Sequence, residues 1–198
     1  MGQGITMQWD KQQIQVSAYG DGIIRICELN NGKQPYSAAV ELTVEQQQKV
    51  AVAQYQVSEQ GASTVFETAL LRAEVEPDGT ITFYNKKNNE KLTCVSETQE
   101  IKKTTLTEEE KAFIGMEGHE SGDEVQAKVN LSLSLDEADC IYGLGDKTGV
   151  LNKREYEYEM WNSDIPAPHE DNFKSLYKSV PFMIVLKENA VYGVFFDN

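Results

Sequence analysis

From residue 125 to residue 135 apolar and polar side chains alternate without a break. Val125, Ala127, Val129, Leu131, Leu133 and Leu135 stand against Gln126, Lys128, Asn130, Ser132 and Ser134. Successive side chains of a strand point to opposite faces, so this pattern puts every apolar residue on one side; a helix would scatter them. The same period of two returns in Ile14, Val16 and Ala18, in Ile24 and Ile26 around Arg25, in Val40, Leu42 and Val44, and in Leu71, Ala73 and Val75. Turn-forming residues separate these runs: Asp21-Gly22, Asn31-Gly32, Pro77-Asp78-Gly79-Thr80 and Asn88-Asn89. Closely spaced strands with one apolar face, and no long amphipathic helix between them, predict an all-β fold built as an antiparallel β-sandwich.

One segment breaks the rhythm. Residues 97–124 are acidic and carry Gly115, Gly118 and Gly122, which reads as a solvated excursion between strands. Thr107-Glu108-Glu109-Glu110 has the form of a capping box, so a short helix could begin there. No internal repeat or low-complexity linker appears, so residues 1–198 are read as one domain, a size that allows one sizeable core.

Charge narrows the partners. With 32 acidic against 18 basic residues the net charge is −14. Phosphate backbones and anionic lipid surfaces repel such a chain, which argues against nucleic acid and membrane; a neutral sugar is indifferent to the field. No apolar run approaches the roughly 20 residues of a membrane span. The first residues show no secretory pattern, and Cys27, Cys94 and Cys140 are odd in number and far apart, which suits a reducing, cytoplasmic setting with the thiols as small core residues. His119 and His169 lie in turn-rich segments without a ligand pattern, so no metal site is expected.

The last quarter of the chain carries the chemistry. Gly143, Gly145 and Gly149 are wrongly spaced for a dinucleotide fingerprint, and Asp146 stands where a phosphate loop needs glycine before Lys147-Thr148. They are read instead as sites of tight turning and close backbone approach. Tyr156, Tyr158 and Met160 alternate with Glu155, Glu157 and Glu159, the pattern of a strand. Residues 161–168 then form a loop, because Pro166 and Pro168 cannot join a ladder. Trp161, Asn162 and Asp164 place an aromatic face, an amide and a carboxylate within four residues, the set that stacks on a sugar ring and bonds its hydroxyls. Two readings stand at this point: ligand contact, or a Trp packed on the sandwich with Asp164 capping a turn. Glycoside hydrolysis needs two facing carboxylates, and sequence alone cannot place such a pair among so many acids.

Four ordered motifs carry a family resemblance. Tyr142-Gly143-Leu144-Gly145-Asp146, Met160-Trp161-Asn162-Ser163-Asp164, Leu176-Tyr177-Lys178-Ser179-Val180-Pro181-Phe182 and Tyr192-Gly193-Val194-Phe195-Phe196-Asp197-Asn198 resemble the N-terminal domain of glycoside hydrolase family 31, the α-glucosidase and α-xylosidase family. Asp146 replaces the family's Glu and Ser163 its Thr, both with functional chemistry kept. The resemblance covers residues 142–198; earlier residues agree only in strand pattern. It implies a galactose-mutarotase-like sandwich that precedes a catalytic (β/α)8 barrel not contained in these residues. It also implies that the partners are that barrel and an α-linked oligosaccharide, and that the full-length enzyme is a retaining α-glycosidase without cofactor. Asp164 matches the family's substrate-loop aspartate, within a loop over residues 161–175. Trp161 and Asn162 enter as its neighbours. No catalytic residue falls within the chain, which alone is expected to be inactive; a homo-oligomer is left open. The ending, just after an apolar strand-like run, reads as a cut within a longer protein. Two other readings remain: a free-standing carbohydrate-binding or mutarotase-like module, and a purely structural interaction domain.

Overall fold

Within each sheet of the computed structural model, which describes residues 3–9, 12–29, 44–51, 53–104, 124–166, 168–171 and 173–197, strands adjacent in sequence pair antiparallel. β1 (Gln3–Trp9), β2 (Gln12–Gly20) and β3 (Ile23–Glu28) form one three-stranded sheet. After a short helix α1 (Val44–Ala51), six strands run in order as a second sheet: β4 (Gln56–Gln60), β5 (Ser63–Glu67), β6 (Leu71–Val75), β7 (Ile81–Asn85), β8 (Glu90–Thr104) and β9 (Glu124–Leu133). β10 (Cys140–Gly145), β11 (Ser179–Leu186) and β12 (Val191–Phe195) make the third sheet.

The core explains the alternation in β2 and β6, though not in β9, where Val129 and Leu131 are exposed rather than turned to a core as their alternation predicts. Val16 and Ala18 of β2 meet Phe66 of β5, Ala73 and Val75 of β6 and Ile81 of β7 in one buried cluster, with Ile5, Met7, Ile24 and Ile26 packed against it. The first sheet therefore lies on the second, each contributing its apolar face, which is the packing of a β-sandwich. Phe66 is wholly buried and stacks on Tyr55 with ring centroids 5.0 Å apart. Its burial contributes about 2–3 kcal/mol. The turn residues work as their chemistry suggests. The Thr80 N–H donates to Asp78 Oδ1 at 2.9 Å while Gly79 takes φ 88°, and Asn89 adopts φ 57° between β7 and β8.

Several expectations are corrected. Val44 opens α1 rather than closing a strand; Val40 and Leu42, like Asn31-Gly32, lie outside the described residues. The segment from Glu45 to Ala51 is rich in good helix formers, Lys49 pairs with Glu45 at 2.9 Å across one turn, and Val50 is buried. β8 continues to Thr104 and pairs with β9 from Glu124, so residues 97–104 are strand and only 105–123, with the capping-box segment and His119, fall outside the described residues. Residues 155–160 are not a strand, for reasons given below. The three cysteines are free and half-buried rather than core. β1 is a strand beyond those expected, and in it Ile5 and Met7 alternate with Gly4, Thr6 and Gln8.

Candidate functional site

The site begins with a bulge. Gly143, Leu144 and Gly145 all have positive φ (108°, 70° and 85°), and the pairing of β10 with β11 shifts register between the two glycines. A Cβ at Gly145 would stand 2.4 Å from the Lys178 carbonyl oxygen, so no other residue lets the two backbones approach this closely. The Asp146 N–H donates to that same carbonyl at 2.9 Å. The bulge delivers Lys147 inward, where its ammonium donates to the Glu159 carbonyl at 2.8 Å and to Ser179 Oγ at 3.1 Å. Burial pushes the Lys147 pKa down, against the opposing pull of Asp146 and Glu159.

The alternating tyrosines serve this anchoring instead of a ladder. Tyr156 and Tyr158 lie on one side, their rings stacked with centroids 5.7 Å apart. The Tyr158 hydroxyl donates to the Thr148 carbonyl at 2.8 Å, and the Thr148 hydroxyl donates to the Phe173 carbonyl at 2.8 Å. Lys153 donates to the Thr148 carbonyl at 2.9 Å with its ammonium 5.8 Å from the Tyr158 ring centre. Tyr156 covers Gly149 so closely that a Cβ there would lie 2.3 Å from the ring. Glu155 takes φ 70°, which breaks the extended run, and the segment bonds the 173–176 stretch at isolated points: Glu159 N–H to Lys174 carbonyl and Ser163 N–H to Leu176 carbonyl. Side-chain alternation is thus real while a continuous backbone partner is missing.

On this support sit the three residues singled out from sequence, and the structure brings Trp161 and Asn162 together. Asn162 Oδ1 accepts the Ser179 N–H at 2.8 Å, and the Ser179 hydroxyl donates to the Trp161 carbonyl at 3.0 Å. Met160, Trp161, Asn162 and Ser179 line an open depression of about 310 Å³. The Trp161 side chain is 68% exposed, so it is not packed on the sandwich. Asp164 is exposed two residues on, and no described residue bonds its carboxylate. The loop then turns back: the Tyr177 hydroxyl donates to the Ile165 carbonyl at 2.9 Å, and His169 Nε2 lies 3.1 Å from that oxygen. Lys174 and Glu157 pair at 2.8 Å; their hydrogen bond lifts the Lys174 pKa and lowers that of Glu157. Among the described residues no group of His, Cys, Asp or Glu is arranged to hold a metal ion, and no helix is long and apolar enough to cross a membrane.

Sequence reasoning missed Met160, Lys147, Ser179 and Tyr177 as parts of this arrangement. Only the return of 176–179 alongside 161–163 makes them neighbours, and no local pattern encodes that return. Chemically the loop offers an aromatic face, an amide whose NH2 is left to donate, and a carboxylate. That set has the donors, acceptors and stacking surface that a hydroxyl-bearing ring would need.

The comparisons identify the family and the fold. Residues 13–198 match the family described as the glycosyl hydrolase 31 N-terminal galactose mutarotase-like domain, and the chain belongs to that family. It is 42% identical over 73 residues to alpha-glucosidase 2 of Bacillus thermoamyloliquefaciens, an alignment spanning 37% of this chain and 9% of that protein. Its fold resembles the family 31 dextranase of Flavobacterium johnsoniae (TM-score 0.64, 20% identity), covering 100% of this chain and 23% of that one. It also resembles the family 31 alpha-xylosidase of Xanthomonas citri (TM-score 0.61, 18% identity), covering 98% of this chain and 18% of that one. The chain thus spans less than a quarter of the length of each of these relatives.

Proposed function

We propose that this chain is the N-terminal sandwich of a longer retaining α-glycosidase, acting on a terminal α-linked glucose or related sugar, and that it lends its 161–175 loop to the substrate site. The observation that carries this reading is the division of labour at Ser179. One side of the loop is fixed to β11 through Asn162 Oδ1 and the Trp161 carbonyl, while the Trp161 ring and Asp164 carboxylate stay exposed. Loop residues held by a rigid strand and left unpaired at their tips are suited to meeting a ligand. Asp164 accepts sugar hydroxyls, Trp161 supplies the stacking face, and Asn162 shapes the turn between them. The paired acids of the retaining mechanism, about 5–5.5 Å apart, belong to the catalytic barrel. The free thiols of Cys27, Cys94 and Cys140 support a cytoplasmic enzyme.

Turnover of aryl α-glycosides tests the reading. The full-length polypeptide is expected to hydrolyse them with retention of anomeric configuration, and the 198-residue chain to show none. Turnover by the short chain, or inversion by the long one, contradicts it.

A further inference from the structure

Thr148 joins the two flanks of the 161–175 loop within a single residue. It is 8% exposed and directly follows the lysine that the β10 bulge turns inward. Its carbonyl accepts the Tyr158 hydroxyl at 2.8 Å and the Lys153 ammonium at 2.9 Å, which ties it to the chain entering the loop. Its hydroxyl lies 3.1 Å from the Asp171 carbonyl oxygen and 2.8 Å from that of Phe173, which ties it to the chain leaving the loop. One hydroxyl hydrogen serves both acceptors as a three-centre bond. From Phe173 the contacts run on toward Asp164. The His169 ring lies edge-on to Phe173, with centroids 6.3 Å apart, and tilted against Tyr177 at 5.5 Å. The Tyr177 hydroxyl donates in turn to the carbonyl of Ile165, the residue after Asp164.

We propose that Thr148 is a positioning residue: its hydroxyl holds the far flank of the loop against the near one and so sets where the Asp164 carboxylate stands for a sugar. This role rests on the reading that the loop meets an α-linked sugar. Two observations favour positioning over simple packing. Neither Asp171 nor Phe173 lies in a strand, so their carbonyls have no ladder to hold them in place. Thr148 is also too buried to touch a sugar itself, so it acts through the loop that it ties down. A buried hydroxyl that fixes the backbone behind a binding group is how a supporting layer holds a site in its working geometry.

Thr148→Ala and Thr148→Ser differ only in the hydroxyl, so steady-state kinetics of the two in the full-length polypeptide isolate it. In Thr148→Ala, KM for an aryl α-glucoside is expected to rise about three- to tenfold with kcat nearly unchanged, the effect of losing one neutral hydrogen bond that places a binding group. Thr148→Ser is expected to return KM to within about twofold of the parent. With Asp164 already replaced by alanine, Thr148→Ala should add almost nothing, because it acts through that carboxylate. An unchanged KM, a serine variant no better than the alanine one, or an effect that adds in full to that of Asp164→Ala overturns the proposal. Amide hydrogen exchange in the same proteins separates this role from the glycosidase reading. The Glu159 and Ser163 N–H groups, which donate across the loop to Lys174 and Leu176, should exchange faster in Thr148→Ala but not in Thr148→Ser, while β5 and β6 stay as protected as in the parent. Protection lost in β5 and β6 as well would make Thr148 a support of the whole fold and also overturns the proposal. If the parent shows no turnover, the glycosidase reading falls alone where exchange follows the hydroxyl, and both fall where it does not.

Discussion

The Ser179 hydroxyl donates to the main-chain carbonyl of Trp161 at 3.0 Å, and this bond crosses from the first residue of β11 to the loop that presents the candidate sugar contacts. The same hydroxyl accepts from Lys147 at 3.1 Å. Ser179→Ala removes both, at a cost of about 1–2 kcal/mol by denaturant unfolding. In the full-length enzyme the freed loop should raise KM more than it lowers kcat, because positioning of a binding group is lost and the reacting acids are untouched. An equal fall of kcat with KM unchanged would show that the bond does something other than orient the loop.

A buried cation defines a second prediction. Lys187 is buried and donates to Asp139 Oδ2 at 2.8 Å and Asp136 Oδ2 at 2.5 Å, while Arg154 caps the Asp139 carbonyl at 3.0 Å. Lys187→Met leaves the buried Asp139 carboxylate without its cation, which costs about 3–5 kcal/mol. Adding Asp139→Asn should return part of that loss, since both ends are then neutral. Thermal melts of the single and double variants check this; a double variant as unstable as the sum of the two singles refutes the pairing.

The same cluster sets a pH dependence. The hydrogen bond from Lys187 holds the Asp136 pKa below the usual carboxylate range. Burial alone would lower the Lys187 pKa, but the bonds to Asp136 and Asp139 outweigh it and leave it raised. A lowered carboxylate stabilises the fold above its unfolded pKa and loses that contribution as pH falls through the folded value. A raised lysine stabilises below its unfolded pKa and loses its contribution as pH rises through the folded value. Stability from this pair is therefore full across neutral pH and declines at both extremes, below the carboxylate range and above the lysine range. Lys187→Met should flatten both limbs in unfolding measurements; limbs unchanged in the variant would assign the dependence to other groups.

Backbone strain separates Glu155 from Gly145. Glu155 holds φ 70°, a region that favours glycine, so Glu155→Gly should raise stability by about 0.5–1 kcal/mol after the entropy cost of glycine. Gly145→Ala does the reverse: at φ 85° with the Lys178 carbonyl 2.4 Å from the added Cβ, it should cost about 2–3 kcal/mol. Melting temperatures of opposite sign support the local geometry, and a Gly145→Ala variant as stable as the parent contradicts it.

Much of the fold was legible because period-two alternation at Val16, Ala18, Ala73 and Val75 directly reports which side chains reach the core. Turns were legible where a residue type answers a backbone demand, as at Asp78, Gly79 and Asn88. The helix at Val44 was hidden because one alternating valine outweighed the helix formers after it. Tyr156 and Tyr158 misled for a different reason: their alternation is genuine, but they bind carbonyls and each other rather than lining a ladder. At the site, Trp161, Asn162 and Asp164 stood out as residue types, yet Ser179 and Lys147 could not, because their roles exist only once β10 and β11 bring distant segments together.

Kinetics of Asp164→Ala in the full-length enzyme test the central claim most directly. A hydrogen bond between a carboxylate and substrate contributes about 1.5–3 kcal/mol, so kcat/KM on an α-glucoside should fall roughly ten- to hundredfold in a variant that melts like the parent. An unchanged kcat/KM would mean that the loop never meets the sugar and that this sandwich serves the enzyme only as a structural support.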